Sequence, residues 1–116
     1  GSGIGQAIAL LFAAEGAQLA LVDRDEAGLA ETLAKLTASG GAGIVQCGDV
    51  GEPGLAEAAV AACEARFGGP DVLVTAAGFS CGGTVTTTAP DDWEAVFRAN
   101  VGGTFLFARA AIPRMQ

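Results

Sequence analysis

The sequence contains no histidine, no tyrosine and only one lysine, Lys35. The side chains that commonly transfer protons in enzymes are therefore reduced to carboxylates. Without histidine, a zinc site would need cysteine and carboxylate ligands, and Cys47, Cys63 and Cys81 lie far apart with no C-x-x-C pair. We therefore expect no metal site, and we expect the cysteines to be small buried side chains in a reducing compartment.

Positive charge is also scarce, with 6 basic against 13 acidic residues and a net charge of −7. A nucleic-acid-binding surface needs a basic patch, so we expect no nucleic-acid partner. A nucleotide cofactor is compatible with this charge, because backbone N–H groups can hold phosphates without lysine. No apolar run approaches the roughly 20 residues of a membrane-spanning helix, which favours a cytoplasmic protein without a membrane segment.

The length of 116 residues is typical of one small domain, and a hydrophobic fraction of 51% with 16% charged residues is typical of a globular chain. The sequence begins inside a glycine cluster without methionine and stops at Gln116 with no terminating signal. We therefore expect residues 1–116 to be one part of a longer protein.

Segments with helical periodicity alternate with short apolar runs along the whole chain. This alternation predicts right-handed crossovers, a parallel sheet and the α/β fold class. The predicted helices lie at 5–15, 26–38, 53–67 and 91–112 or beyond, and the predicted strands at 17–23, 42–50 and 71–78.

The last predicted helix contains Gly102 and Gly103, each of which weakens a helix by roughly 1 kcal/mol relative to alanine. We therefore expect close packing or a kink at these glycines. Helical spacing puts Asn100 on one face with a group of apolar residues, which predicts a buried face made of Trp93, Val96, Asn100, Gly103, Phe107 and Ala111.

The glycine cluster GSGIG precedes the first predicted helix, where backbone N–H groups and the helix N-terminus can hold a phosphate. Asp23 ends the next strand, 18 residues after Gly5. A carboxylate at about this separation accepts hydrogen bonds from the adenosine ribose and repels a 2′-phosphate, which favours NAD over NADP. Arg24 leaves NADP as an alternative cofactor, because an arginine at this position can pair with the 2′-phosphate.

Two further strand ends carry candidate ligand contacts. Asp49-Val50 ends the predicted strand at 42–50, and Thr75, Ala76, Ala77 and Gly78 end the one at 71–78. Ligands of open α/β sheets bind beyond the carboxyl ends of the strands. The small residues there leave room for a flat ring.

These motifs occur in the order found in the short-chain dehydrogenase/reductase family, which the chain resembles from end to end. GSGIG resembles the second half of the family's T-G-x-x-x-G-x-G loop, with Gly1-Ser2 in its variable part and Gly3, Ile4 and Gly5 at its end. GDV at 48–50 resembles the adenine-contacting Asp-Val, and TAAG at 75–78 stands where the family usually has N-N-A-G or N-A-A-G. The segment at 93–115 resembles the family's W-x-x-v-x-x-v-N-l-x-G-x-f helix, with Asn100 at the position of the catalytic asparagine.

The resemblance implies a Rossmann-like doubly wound parallel sheet with strand order 3-2-1-4-5-6-7. On that pattern, residues 1–116 form a partial NAD(P)-binding domain without the first strand and the C-terminal half. The family's catalytic tetrad is Asn, Ser, Tyr and Lys, in which the asparagine holds a water of the proton relay. Only Asn100 of these four is present, so the resemblance implies that the chain by itself is inactive.

For the full-length protein, the resemblance implies an oxidoreductase that transfers a hydride between NAD and a secondary alcohol or ketone. One alternative is an NADP-dependent 3-oxoacyl-thioester reductase. Another is a non-catalytic dinucleotide-binding sensor or pseudoenzyme. Family members commonly dimerise through the helix at 91–115, which implies a homodimer or homotetramer, and Phe105 and Ile112 give this helix a second apolar face.

Overall fold

A computed structural model describes residues 3–116, and Gly1 and Ser2 lie outside the described residues. Helices and strands alternate up to residue 67: α1 Gly3–Ala14, β1 Gln18–Asp23, α2 Glu26–Ala38, β2 Ala42–Cys47 and α3 Pro53–Phe67. Residues 72–84 have no regular secondary structure. The chain then forms α4 Pro90–Phe97, a π-turn at Arg98–Gly102 and α5 Gly103–Met115.

β1 and β2 form a parallel pair that runs in register from Gln18 opposite Ala42 to Asp23 opposite Cys47. Local signals set the helix that connects them, since the Asp25 side chain accepts a 3.1 Å hydrogen bond from the N–H of Gly28 and so caps α2. The two strands therefore end side by side, and their carboxyl ends face the same edge of the sheet.

The main core lies between α3 and α5, where small side chains allow close helix packing. It consists of Leu55, Ala56, Ala59, Val60, Phe107, Ala110 and Ala111. On the other side of the sheet, α2 buries Leu29 and Leu36, and the side chain of Leu36 is 0% exposed. A side chain at Gly43 of β2 would press on Leu36, because its Cβ would lie 3.3 Å from the Leu36 Cδ1.

The strand predicted at 71–78 is not formed in the described part of the chain. A cleft of about 560 Å³ separates this segment from β1, and Val72 and Val74 are 67% and 44% exposed. A strand needs a hydrogen-bonding neighbour about 4.8 Å away, and β1, which pairs with β2, is the only strand on the other side of the cleft among residues 3–116. The prediction of a strand at 71–78 is therefore wrong for the described residues, and the lack of a neighbouring strand is the reason.

The last predicted helix is interrupted by the π-turn, which inserts one residue and rotates α5 relative to α4 by about 100°. Gly103 and Phe107 are buried, whereas Trp93 is 56% exposed and Asn100 is exposed too. The prediction of one continuous buried face through Trp93, Asn100 and Ala111 is therefore wrong. The expected close packing does occur, since a Cβ at Gly103 would lie 2.8 Å from the Val50 Cγ2.

The cysteines are less buried than expected. Cys47 and Cys81 are exposed, and Cys63 is half-buried. Partial burial, and secondarily the charge of Asp71, raises the pKa of the Cys63 thiol. Within residues 3–116, no helix is long and apolar enough to cross a membrane, and no cluster of Cys, Asp and Glu could hold a metal ion.

Replacing Gly103 by alanine tests the contact between α5 and the loop after β2. We expect Gly103→Ala to lower the free energy of unfolding by about 1–3 kcal/mol, because the added methyl overlaps Val50. The matched control is Gly54→Ala in α3, where a Cβ meets nothing within 4 Å, and we expect a gain of up to about 1 kcal/mol. Urea unfolding of the full-length variants measures both, and equal effects would contradict the packing described.

Candidate functional site

A pocket of about 270 Å³ opens at the carboxyl ends of β1 and β2. It brings together seven of the residues predicted from sequence to contact a ligand: Asp23, Arg24, Asp49, Val50, Ala76, Ala77 and Gly78. Four further residues complete its lining: Asp25, Gly48, Phe79 and Ala99. The pocket therefore lies where an open α/β sheet binds its ligand.

The end of β1 supplies a carboxylate and a guanidinium to this pocket. Asp23 is half-buried, and one of its carboxylate oxygens accepts a 3.1 Å hydrogen bond from the N–H of Asp25. The Arg24 side chain lies over the Phe79 ring, with its guanidinium carbon 5.5 Å from the ring centroid. Negative and positive charge thus stand next to each other at the same edge.

The loop after β2 is held by Arg98 of the π-turn. The Asp49 carboxylate accepts a 2.9 Å hydrogen bond from the N–H of Gly51, and Arg98 Nη2 lies 3.9 Å from Asp49 Oδ2. Arg98 also pairs with Glu52 and donates to the Gly51 carbonyl over 3.4 Å. These contacts fix the Asp49 side chain relative to the helix that carries Asn100.

The side chain of Asn100 binds the backbone of Phe79 with both ends of its amide. The N–H of Phe79 donates to Asn100 Oδ1 over 2.9 Å, and Asn100 Nδ2 donates to the Phe79 carbonyl over 2.8 Å. Gly78 makes this possible, because a Cβ there would lie 2.5 Å from Asn100 Oδ1. The Asn100 amide therefore positions the segment that forms one wall of the pocket.

The remaining predicted residues lie outside the pocket lining. Thr75 faces the 560 Å³ cleft, and so does Gly5, whose Cβ, if present, would be 3.6 Å from that of Ala76. Gly3, with φ of +60°, and Ile4 form the exposed start of α1. The predicted contacts of Gly1 and Ser2 lie outside the described residues.

The sequence predicts Phe79 as a candidate lining residue of the substrate pocket, and the structure places it in the lining of this pocket, where it directly follows Gly78. Sequence reasoning missed the contributions of Arg98 and Glu52. No periodicity could have found Arg98, because the π-turn decides which way this side chain points.

Chemically, the pocket combines hydrogen-bond acceptors, one anion-pairing group and a wall of small residues. Asp23 and Asp49 accept hydrogen bonds from hydroxyl or amino groups, and Arg24 can pair with an anionic oxygen. Ala76, Ala77 and Gly78 leave space for a planar ring. This set of groups fits the adenosine end of a dinucleotide.

Comparison with known proteins identifies relatives along almost the whole chain. D-threitol dehydrogenase of Mycolicibacterium smegmatis is 36% identical over 114 residues, covering 98% of this chain and 44% of that protein. The L-sorbose reductase of Gluconobacter frateurii, solved with NADPH and L-sorbose, superposes with a TM-score of 0.92 at 35% identity, covering 98% of this chain and 44% of that one. The chain thus spans less than half the length of these relatives.

The L-sorbose reductase complex also corrects the cofactor prediction. That relative binds NADPH, which contradicts the expectation, drawn from Asp23, that NAD is preferred over NADP. In this structure the Asp23 carboxylate turns towards the N–H of Asp25, and Arg24 stands beside it. A strand-end carboxylate alone is therefore a poor indicator of cofactor choice here.

The family assignment agrees between sequence and fold. A short chain dehydrogenase from Mycobacterium avium superposes with a TM-score of 0.90 at 30% identity, covering 97% of this chain and 42% of that one. These superpositions confirm the predicted Rossmann-like α/β class. The family model described as enoyl-(acyl carrier protein) reductase matches residues 1–116. The chain belongs to the short-chain dehydrogenase/reductase family.

Proposed function

We propose that the full-length protein is an NADP(H)-dependent oxidoreductase that interconverts a secondary alcohol and a ketone. The observation that carries this proposal is the pocket at the ends of β1 and β2, which gathers Asp23, Arg24 and Asp49 against the wall at 76–79. The bound nicotinamide would supply or accept the hydride. The names of the relatives, a threitol dehydrogenase and a sorbose reductase, support an alcohol or ketone as substrate.

We propose that the adenosine end of the cofactor binds in the 270 Å³ pocket at the ends of β1 and β2. Asp49 and Val50 would hold the adenine, with the Asp49 carboxylate accepting from an amino group while Arg98 keeps its loop in place. The wall formed by Ala76, Ala77 and Gly78 would face the dinucleotide. The start of α1, with Gly1, Ser2, Gly3, Ile4 and Gly5, would hold the pyrophosphate through backbone N–H groups.

Arg24 is the group that would recognise the 2′-phosphate of NADP(H). It is the one cationic side chain that lines the pocket within the described residues. A guanidinium pairs well with phosphate, because its planar N–H groups match two phosphate oxygens. Asp23 would accept from the remaining ribose hydroxyl, with its charge moderated by the N–H of Asp25.

Asn100 would act by holding the pocket wall and its own backbone in place. Its side-chain amide makes two hydrogen bonds to the Phe79 backbone, and its backbone carbonyl accepts a 3.2 Å hydrogen bond from Thr104 Oγ1. Residues 1–116 contain no tyrosine, so the proton of the alcohol would be transferred by groups elsewhere in the full-length protein, and the chain alone would be inactive.

A second copy of the protein would cover the exposed face of α4 and α5. This face carries an apolar stripe in which the Trp93 and Phe97 rings stack with centroids 4.4 Å apart. The stripe consists of Trp93, Phe97, Val101, Phe105 and Ile112, all exposed. A contiguous apolar patch of this kind marks an interface, so we propose a homodimer or homotetramer.

Removing the Arg24 charge tests the cofactor proposal. In the full-length protein, we expect Arg24→Gln to raise the Kd for NADP about 10- to 100-fold, since hydrogen bonds between charged groups are lost, and to change the Kd for NAD less than about twofold. Fluorescence titration measures both. The control is Arg66→Gln, because Arg66 also lies over a ring, that of Phe67, at 5.3 Å but away from the pocket. Equal losses of NADP affinity in Arg24→Gln and Arg66→Gln would refute the assignment. Tighter binding of NAD than of NADP by the wild type would refute it too.

Adding a methyl at Gly78 tests the role of the Asn100 amide. We expect Gly78→Ala in the full-length protein to lower kcat/KM at least about tenfold, because the methyl displaces Asn100 Oδ1 from the Phe79 N–H. The Phe79 amide should also exchange faster with solvent. Gly82→Ala is the control, since a Cβ there meets nothing within 4 Å, and unchanged amide exchange in Gly78→Ala would contradict this role of Asn100.

A charge in the apolar stripe tests the oligomer. Phe105 is 62% exposed on α5, and we expect Phe105→Glu to shift the full-length protein to monomers in sedimentation velocity, because a carboxylate would be buried without a partner. Leu11→Glu on α1, 63% exposed in the described chain, is the control and should leave the oligomer intact. A wild type that sediments as a monomer would disprove the proposal.

A further inference from the structure

Arg24 does not extend freely from the end of β1, although its side chain is exposed. Its guanidinium carbon lies 5.5 Å from the centroid of the Phe79 ring, within the range of a cation–π contact. Both residues line the 270 Å³ pocket. The contact therefore links one wall of the pocket to the group that is proposed to bind the 2′-phosphate.

Both partners of this contact are anchored through their backbones. The Phe79 N–H and carbonyl are both bound by the Asn100 amide, at 2.9 Å and 2.8 Å. On the other side, the Arg24 carbonyl accepts from Cys47 Sγ over 3.6 Å, and the N–H of Gly48 donates to the Asp23 carbonyl over 2.9 Å. Hydrogen bonds therefore hold the backbone at Phe79 in place, and they also hold the end of β1 that carries Arg24.

Contact with the ring leaves donor groups of the guanidinium available. A guanidinium has five N–H donors spread around its plane, and a single ring on one side cannot cover all of them. An arginine held against a ring has fewer rotamers to lose when an anion binds, so the ring improves anion binding without touching the anion. A ligand without a phosphate at this position would gain nothing from the ring.

We propose that Phe79 is a specificity-determining positioning residue, which favours NADP(H) over NAD(H) by holding Arg24 against its ring. This inference rests on the proposed NADP(H) dependence. It separates two roles within one segment: the backbone of Phe79 forms the pocket wall with Asn100, and its side chain sets cofactor choice through Arg24.

The test is a double-mutant cycle in the full-length protein, with Kd values for NADP and NAD measured by titration. We expect Phe79→Leu to raise the Kd for NADP about two- to fivefold, the range of an exposed cation–π contact, and to leave the Kd for NAD unchanged. Phe79→Tyr keeps the ring and should keep the NADP affinity. In an Arg24→Gln background, Phe79→Leu should no longer alter the ratio of the two Kd values.

The other outcomes separate the two proposals. If Phe79→Leu weakens the binding of NADP and of NAD equally, the ring acts through general packing and the inference is wrong. The same holds if its effect on the ratio of the two Kd values persists in the Arg24→Gln background. If Arg24→Gln lowers NADP affinity but Phe79→Leu does not, only the role of Phe79 fails. If the wild type binds NAD more tightly than NADP, both proposals fail. An unchanged NAD affinity in Phe79→Leu also shows that the variant is folded.

Discussion

The two hydrogen bonds between the Asn100 amide and the Phe79 backbone join the pocket wall at 76–79 to the helical segment that also carries Arg98. The segment before Phe79 has no strand partner among residues 3–116, so these bonds replace the sheet hydrogen bonds that would otherwise fix its position. They require a glycine at position 78, because any Cβ would overlap the amide. The wall of the pocket and the contact of Arg24 with the Phe79 ring both depend on this pairing.

The π-turn lets one helix serve three contacts at once. The extra residue in the turn shifts the helical phase, so that the apolar stripe stays exposed from α4 into α5 while another face of α5 is buried. Within it, Arg98 reaches the loop after β2 and Asn100 reaches Phe79, while Gly103, directly after it, packs on Val50. A regular helix would turn these side chains in other directions, so the pocket geometry and the irregular turn belong together.

Local signals predicted the parts of the fold that are decided locally. The cap at Asp25 and the proline at Pro53 set helix starts at the predicted positions, and the alternation of elements predicted the α/β class. Pairing of the segment at 71–78 depends on a neighbouring strand, which no local pattern reports. The prediction of the preferred cofactor failed for a related reason. The sequence shows the charge of Asp23 but not that its carboxylate turns towards the N–H of Asp25.

We propose that the pocket at the ends of β1 and β2 binds the adenosine end of NADP(H). A crystal structure of the full-length protein with NADP tests this most directly. We expect adenine against Asp49 and Val50, and a 2′-phosphate oxygen within about 3 Å of the Arg24 guanidinium while that group stays over the Phe79 ring. A cofactor bound elsewhere, or a 2′-phosphate held by other residues with Arg24 turned away, would contradict the claim.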